Sequence, residues 1–248
     1  MIAYRCVLIV VISVLLATTF PVDAATKGCW NVNGDVNRKR NNKDCYAAMK
    51  KIIFDTSGKA PHLPTDEGVV KTISGGCSLI VKNPNHAIVT EPDIKVALEA
   101  LFKKCPNIGG YVMIPNIPQA SVEIRERAAA GSRFEAFNPD AELDKTYCYQ
   151  AKGAPDIKAN DDCIKAYEGL STDSQGRISP TTTGAHVIFQ SCYLAIYTTD
   201  DSMLQVMKKD VDAIVKKMIT TCDKKSGFVN LRGAQGKNGR VFVETHAA

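Results

Sequence analysis

The sequence predicts an α+β protein. It reads as tandem duplicated two-layer α/β sandwich domains, each an antiparallel sheet covered by two helices and stapled by two disulfides. Three observations predict it. Cys29, Cys45, Cys77 and Cys105 are separated by 16, 32 and 28 residues, and Cys148, Cys163, Cys192 and Cys222 by 15, 29 and 30. The words around them recur: Asp44-Cys45 with Asp162-Cys163, Cys77-Ser-Leu-Ile-Val with Cys192-Tyr-Leu-Ala-Ile, and Cys105 before Gly110-Tyr111-Val112 with Cys222 before Gly227-Phe228-Val229. The period is also far too long for one solenoid unit, so each copy is a domain.

Each copy opens with a short extended segment holding its first cysteine, Cys29-Trp30-Asn31-Val32 and Tyr147-Cys148-Tyr149-Gln150. A helix follows. Asn41 or Asn42 can cap the first, whose buried stripe is Cys45, Ala48, Met49 and Ile52; Asn160 is expected to cap the second, with Cys163, Ala166, Tyr167 and Leu170 inside. A Gly/Pro-rich loop leads to a strand, or two, around residues 76–81 and 187–196. The next helix starts at Thr90 with Pro92 and places Ile94, Ala97, Leu98, Leu101 and Cys105 on one face. Its partner is expected to align Leu204, Met207, Val211, Ile214, Val215, Met218 and Cys222. Two strands close each copy: Tyr111 to Ile114 with Val122 to Ile124, and Phe228 to Leu231 with Val241 to Val243.

Residues 1–24 read as a secretory signal peptide: Arg5, an apolar stretch from Val7 to Ala17 too short to span a bilayer, and Val22-Asp23-Ala24 as the cleavage site. The domains are then 25–127 and 146–248, with a linker at 128–145 that starts Ala/Gly-rich and turns acidic. Removing the leader removes Cys6, the odd cysteine of nine, and leaves an even set suited to an oxidising compartment. The expected location is secreted and extracellular, with no stable membrane span and a monomeric state. Four cysteines allow three pairings per domain. The expected one joins Cys29 to Cys105 and Cys45 to Cys77, then Cys148 to Cys222 and Cys163 to Cys192, because each bond would staple a helix to its sheet.

Net charge is +5, with 15 basic and 10 acidic residues between Ala25 and Arg127. This suits an acidic wall or membrane surface and falls short of a nucleic-acid footprint. Arg38-Lys39-Arg40, with Trp30 as an aromatic platform, form the candidate ligand contact; the alternative is a solvated basic loop and a tryptophan packed beside a disulfide. Tyr149, Tyr193 and Tyr197 carry the same two readings. His62, His86, His186 and His246 have no metal-ligand spacing, every mature cysteine has a structural role, and no nucleophile-elbow motif occurs. Asp66-Glu67, Asp161-Asp162 and Asp200-Asp201 read as caps and loop residues before acid/base pairs. No catalytic residue, metal or cofactor is expected.

Cys29, Asp44-Cys45, Gly76-Cys77-Ser-Leu and Cys105 with Gly109-Gly110, repeated in the second copy, resemble the framing of small secreted cysteine-rich fungal effectors and killer-toxin α/β sandwiches. A mushroom glycan-binding family has a similar layout. The linker lacks the dibasic site of the killer toxins, the paired Cys-x-Cys elements are missing, and no binding residue carries over. The resemblance implies a non-enzymatic effector acting on a host or competitor surface component. The alternative is a bivalent carbohydrate-binding protein, one site per copy.

Overall fold

The computed structural model describes residues 28–30, 41–127, 141–150 and 153–248. The expected leader, Arg38-Lys39-Arg40 and residues 128–140 of the expected linker lie outside the described residues.

In the first repeat β1 (Cys29–Trp30) precedes α1 (Asn42–Met49) and the hairpin β2 (Val69–Ser74) and β3 (Cys77–Lys82). Then come α2 (Glu91–Lys104), β4 (Gly109–Met113) and β5 (Ser121–Glu126). The second repeat follows the same order: β6 (Thr146–Tyr149), α3 (Asn160–Glu168), β7 (Gly184–Phe189), β8 (Cys192–Thr198), α4 (Lys208–Cys222), β9 (Ser226–Arg232) and β10 (Arg240–Ala247). The two sheets are antiparallel and share one topology, β1-β4-β5-β3-β2 and β6-β9-β10-β8-β7. The duplicated α+β architecture is therefore as the sequence predicts.

Each repeat has its own core between helices and sheet. Ile94, Ala97, Leu98 and Leu101 of α2 are fully buried against Leu79, Val81, Val122 and Ile124. Val215 and Met218 of α4 meet Leu194, Ile196, Val229 and Val243 in the same way. Four disulfides join Cys29 to Cys105, Cys45 to Cys77, Cys148 to Cys222 and Cys163 to Cys192. The recurring Cys–Gly interval has a steric cause. A Cβ on Gly110 would stand 2.8 Å from Cys105 Sγ, and one on Gly227 would stand 2.6 Å from Cys222 Sγ. Only glycine lets the strand pass the disulfide at that distance.

Residues 187–196 take the two-strand alternative, a hairpin whose turn sits at Gln190, which adopts a φ of 47°. Local details depart from the sequence expectation at two places. Asn160 is not the cap of α3. Ala159 holds that position, and the Asn160 side chain accepts from Lys224 N–H at 2.9 Å, tying α3 to the end of α4. Leu204 and Met207 precede α4 instead of lying within it: Leu204, fully buried, bridges to Ala234, and Met207, half-buried, is the N-cap residue and bridges to Arg177.

The repeats dock on each other. The β9–β10 loop carries Asn238 into the first repeat, where its side chain accepts from Ile53 N–H at 2.8 Å and donates to Ile53 O at 2.9 Å. Its backbone N–H and side-chain amide donate to the Glu67 carboxylate, both at 2.7 Å. Lys71 Nζ donates to Thr199 O at 2.9 Å, and Arg127 donates to the Tyr147 hydroxyl at 3.2 Å.

Candidate functional site

Alternation along a strand sends successive side chains to opposite faces of a sheet. In β8, Leu194 and Ile196 enter the core while Tyr193, Ala195 and Tyr197 turn away from the helices; in β10, Val241 and Val243 go inward and Phe242, Glu244 and His246 outward. The register sets Phe242 opposite Tyr197, Glu244 opposite Ala195, and His246 opposite Tyr193. On the other side, Glu244 faces Phe228, and Phe228 faces Tyr147.

This register assembles an aromatic outer face. Tyr147 and Phe228 stack with centroids 5.0 Å apart and form its base, each 5% exposed. Phe228 stacks on Phe242 at 4.8 Å, Tyr149 meets Phe228 at 6.0 Å, and Tyr197 meets Phe242 at 5.5 Å. A second stack runs His186–Tyr193–His246, with separations of 5.6 and 4.3 Å. Both groups expose ring surface, since Tyr149, Tyr193, Phe242 and His246 are half-buried and Tyr197 and His186 are exposed.

Glu244 lies between the two stacks, beside the small Ala195. It hydrogen-bonds Tyr197; burial first and the Glu244 charge second raise that phenol well above its ordinary value, so Tyr197 stays protonated as a donor. Burial and Glu244 also raise Tyr149. The face thus combines apolar ring surface, neutral hydroxyl donors and one acceptor carboxylate. Such a surface can stack the apolar face of a ligand and accept its hydroxyl hydrogens.

The first repeat places different chemistry at the same positions. Lys82, Glu123 and Arg125 stand where the second has Tyr197, Glu244 and His246. Glu123 is closed by Arg125 at 2.6 Å and Lys82 at 3.0 Å. Burial opposes its ionisation, but those hydrogen bonds and charges outweigh it and hold the carboxyl below its ordinary value. One glutamate is consumed by an ion-pair network; its counterpart is framed by rings.

Of the residues expected to contact a ligand, Trp30 contributes backbone to β1, opposite Gly109, and Arg38, Lys39 and Arg40 are outside the described residues. Tyr149, Tyr193 and Tyr197 do come together on one face. Phe228, Phe242, Glu244 and His246 join them; the alternating Phe-Val-Glu-Thr-His run at 242–246 is the signal that could have marked them. The paired carboxylates have separate structural partners. Asp162 accepts from Ser191 N–H and hydroxyl, Asp200 from Ser202, and Glu67 from Asn238. Among the described residues no group of three His, Cys, Asp or Glu side chains is arranged to hold a metal.

No protein-family model matches this chain, and no curated protein matches its sequence. Solved structures similar to it include two tandem DUF26 ectodomains from Arabidopsis thaliana cysteine-rich receptor-like proteins. One is PDLP5, at 11% identity over 90% of this chain and 98% of that one, with a TM-score of 0.27. The other is PDLP8, at 11% identity over 90% and 97%, also with a TM-score of 0.27. No residue role or partner is transferred from either. No helix among the described residues is long and apolar enough to cross a membrane.

Proposed function

We propose that this is an extracellular, non-enzymatic protein that binds glycan at a cell surface through the outer face of its second sheet. The observation that carries the reading is Glu244 set between the Tyr197–Phe242 and Tyr193–His246 ring pairs. Pyranose rings present apolar C–H faces that stack on aromatic rings, and their hydroxyls need acceptors such as a carboxylate. Four disulfides suit an oxidising extracellular setting.

The reading departs from bivalent recognition. The equivalent face of the first repeat carries Lys82 and Arg125 on Glu123, so among the described residues the ring-framed glutamate is that of the second repeat. Avidity would then come from clustered ligand or clustered protein, not from the duplication. The effector role, acting on a host or competitor surface, is the wider setting in which glycan contact would serve. The expected secretory leader and the resemblance of the cysteine framing to that of fungal effectors support it.

Polysaccharide pull-down and a glycan array with the full chain test the reading. Retention that is lost in Tyr197→Ala and Phe242→Ala is the expected result. No retention on any chitin, glucan, mannan or uronan overturns it.

A further inference from the structure

The two repeats treat the corresponding edges of their sheets differently. β2 and β7 are the equivalent edge strands. β2 is guarded: Lys71 Nζ reaches Thr199 O, Lys51 Nζ donates to Ile73 O at 2.6 Å, and Val70, Thr72 and Ile73 are buried. β7 reads Gly-Ala-His-Val-Ile-Phe, with no Lys, Arg, Asp, Glu or Pro. None of its residues is buried, and Ile188 is 60% exposed. Edges are ordinarily blunted by charge, proline or cover, because a row of open backbone groups is a template for another strand.

The hydrogen-bond phase of the sheet decides which groups of β7 face the open side. Thr198 N–H donates to Thr183 O at 2.8 Å, which makes Thr183 and Thr198 a hydrogen-bonded pair. By alternation Ala185–Ile196, Val187–Leu194 and Phe189–Cys192 are the others. The N–H and C=O of Gly184, His186 and Ile188 therefore point away from β8. Among the described residues, no hydrogen bond from another element reaches them.

Those residues form a self-complementary set. Two antiparallel copies of β7 centred on His186 place His186 opposite itself and Gly184 opposite Ile188, so every outward N–H meets an outward C=O. The exposed Ile188 then lies across the β7 residue that has no side chain. Gly184 is required there already, since a Cβ would stand 2.9 Å from Tyr197 Cβ. The gap it leaves gives Ile188 of the other copy a path to the exposed Tyr197 ring. With no charge on β7, the copies meet without like-charge repulsion.

We propose that the protein pairs with a second copy of itself, β7 to antiparallel β7, joining the two second-repeat sheets into one. The two-fold axis stands perpendicular to the sheet, and cross-strand partners share a face, so both aromatic faces lie on the same side. Five interstrand steps of about 4.8 Å separate the two Glu244 positions, roughly 24 Å. Each copy thus supplies one half of a paired recognition surface that the first repeat does not provide. That consequence rests on the glycan-binding reading above; the pairing rests on strand geometry alone. Two six-residue strands with their flanking side chains fall in the size class of weak, transient interfaces, below about 1,200 Å². The dimer is therefore expected at micromolar and higher concentrations.

Sedimentation velocity of the full chain without glycan should show the dimer building up across the micromolar range. Ile188→Lys, a charge on an exposed edge position, should hold the chain monomeric with an unchanged melting temperature. In His186→Cys the two thiols meet on the two-fold axis, where hydrogen-bonded partners have Cα atoms about 5.5 Å apart, within disulfide reach. Mild oxidation should cross-link that variant and leave Val96→Cys, exposed on α2, uncoupled. A wild-type chain that stays monomeric, a dimer that survives Ile188→Lys, or equal cross-linking of the two cysteine variants overturns the pairing. So does protection of the His186 and Ile188 amides from hydrogen exchange that is unchanged by dilution, which would place a segment of the same chain on the edge. On immobilised polysaccharide, wild type should be retained about a hundredfold better than Ile188→Lys, with equal binding of a short oligosaccharide. Equal retention overturns the paired surface. A dimer that binds no glycan leaves the pairing standing and the glycan reading refuted; a strictly monomeric glycan binder does the reverse.

Discussion

Asn238 and Glu67, 171 residues apart in the chain, hold each other through two hydrogen bonds of 2.7 Å. Both are almost fully buried, and Asn238 also clasps the backbone of Ile53. Every polar group of the Asn238 side chain is therefore used at the junction. Gly236 permits the fit, since a Cβ there would land on Glu67 Cγ.

Asn238→Ala should cost about 3 kcal/mol, because it leaves the Ile53 backbone N–H and C=O without partners and takes from the buried Glu67 carboxylate one of its two hydrogen bonds, the backbone N–H of residue 238 keeping the other. For a chain of this size that corresponds to a melting temperature lower by roughly 6–12 °C. Calorimetry should also show the repeats unfolding in two steps where wild type unfolds in one. A fall of less than about 2 °C would show that the clasp contributes little.

Two glutamates should give the stability profile opposite slopes. Burial raises the Glu67 carboxyl above its ordinary 4.5, outweighing the Asn238 hydrogen bonds, so the folded state binds that proton more tightly than the unfolded state. Stability therefore falls as pH rises from 4.5 through the raised value. Glu123 is depressed below 4.5, so its contribution is complete above 4.5 and is lost as pH falls through the lowered value. Urea unfolding across pH 3–7 should show Glu67→Gln flattening the upper slope and Glu123→Gln the lower, relative to wild type. The reverse assignment would contradict both environments.

The equivalent glutamates should also separate in binding. Glu244→Gln is expected to weaken glycan binding about tenfold, as for loss of one charge-assisted contact. Glu123→Gln should leave it unchanged, since Lys82 and Arg125 already occupy that carboxylate. Titration calorimetry distinguishes the two. Equal losses would mean that the first sheet also binds.

The disulfides close loops of 29 to 76 residues. Replacing both cysteines of any one bond by serine should cost about 4 kcal/mol on loop entropy. Gly110→Ala and Gly227→Ala should each cost about 1–3 kcal/mol by crowding Sγ, with similar values expected in the two repeats. Guanidinium unfolding measures both sets. A neutral Gly227→Ala would refute the close-approach account.

What could be read in the chain follows the range of the forces. Helix faces such as Ile94, Ala97, Leu98 and Leu101 are set by a 3.6-residue period, and the Cys105–Gly110 and Cys222–Gly227 intervals by contact between near neighbours. The hairpin at Gln190 is only one of two options in the chain, because the apolar residues on either side make 187–196 look continuous. Leu204 carries a helical signature in the sequence because a buried loop residue leaves the same apolar mark as a buried helix residue.

The sequence alone determined a duplicated, disulfide-framed α+β fold, since repeated cysteine spacing and local periodicity survive in one dimension. The tertiary structure decided where recognition can occur. Tyr149, Tyr193 and Tyr197 are scattered in the chain and become one surface only through strand register, which also chooses Glu244 as their companion. The junction is more remote still: Lys51 with Arg240, and Glu67 with Asn238, meet because two finished domains dock. Docking depends on the shape and polarity of assembled faces, and no period along the chain encodes it.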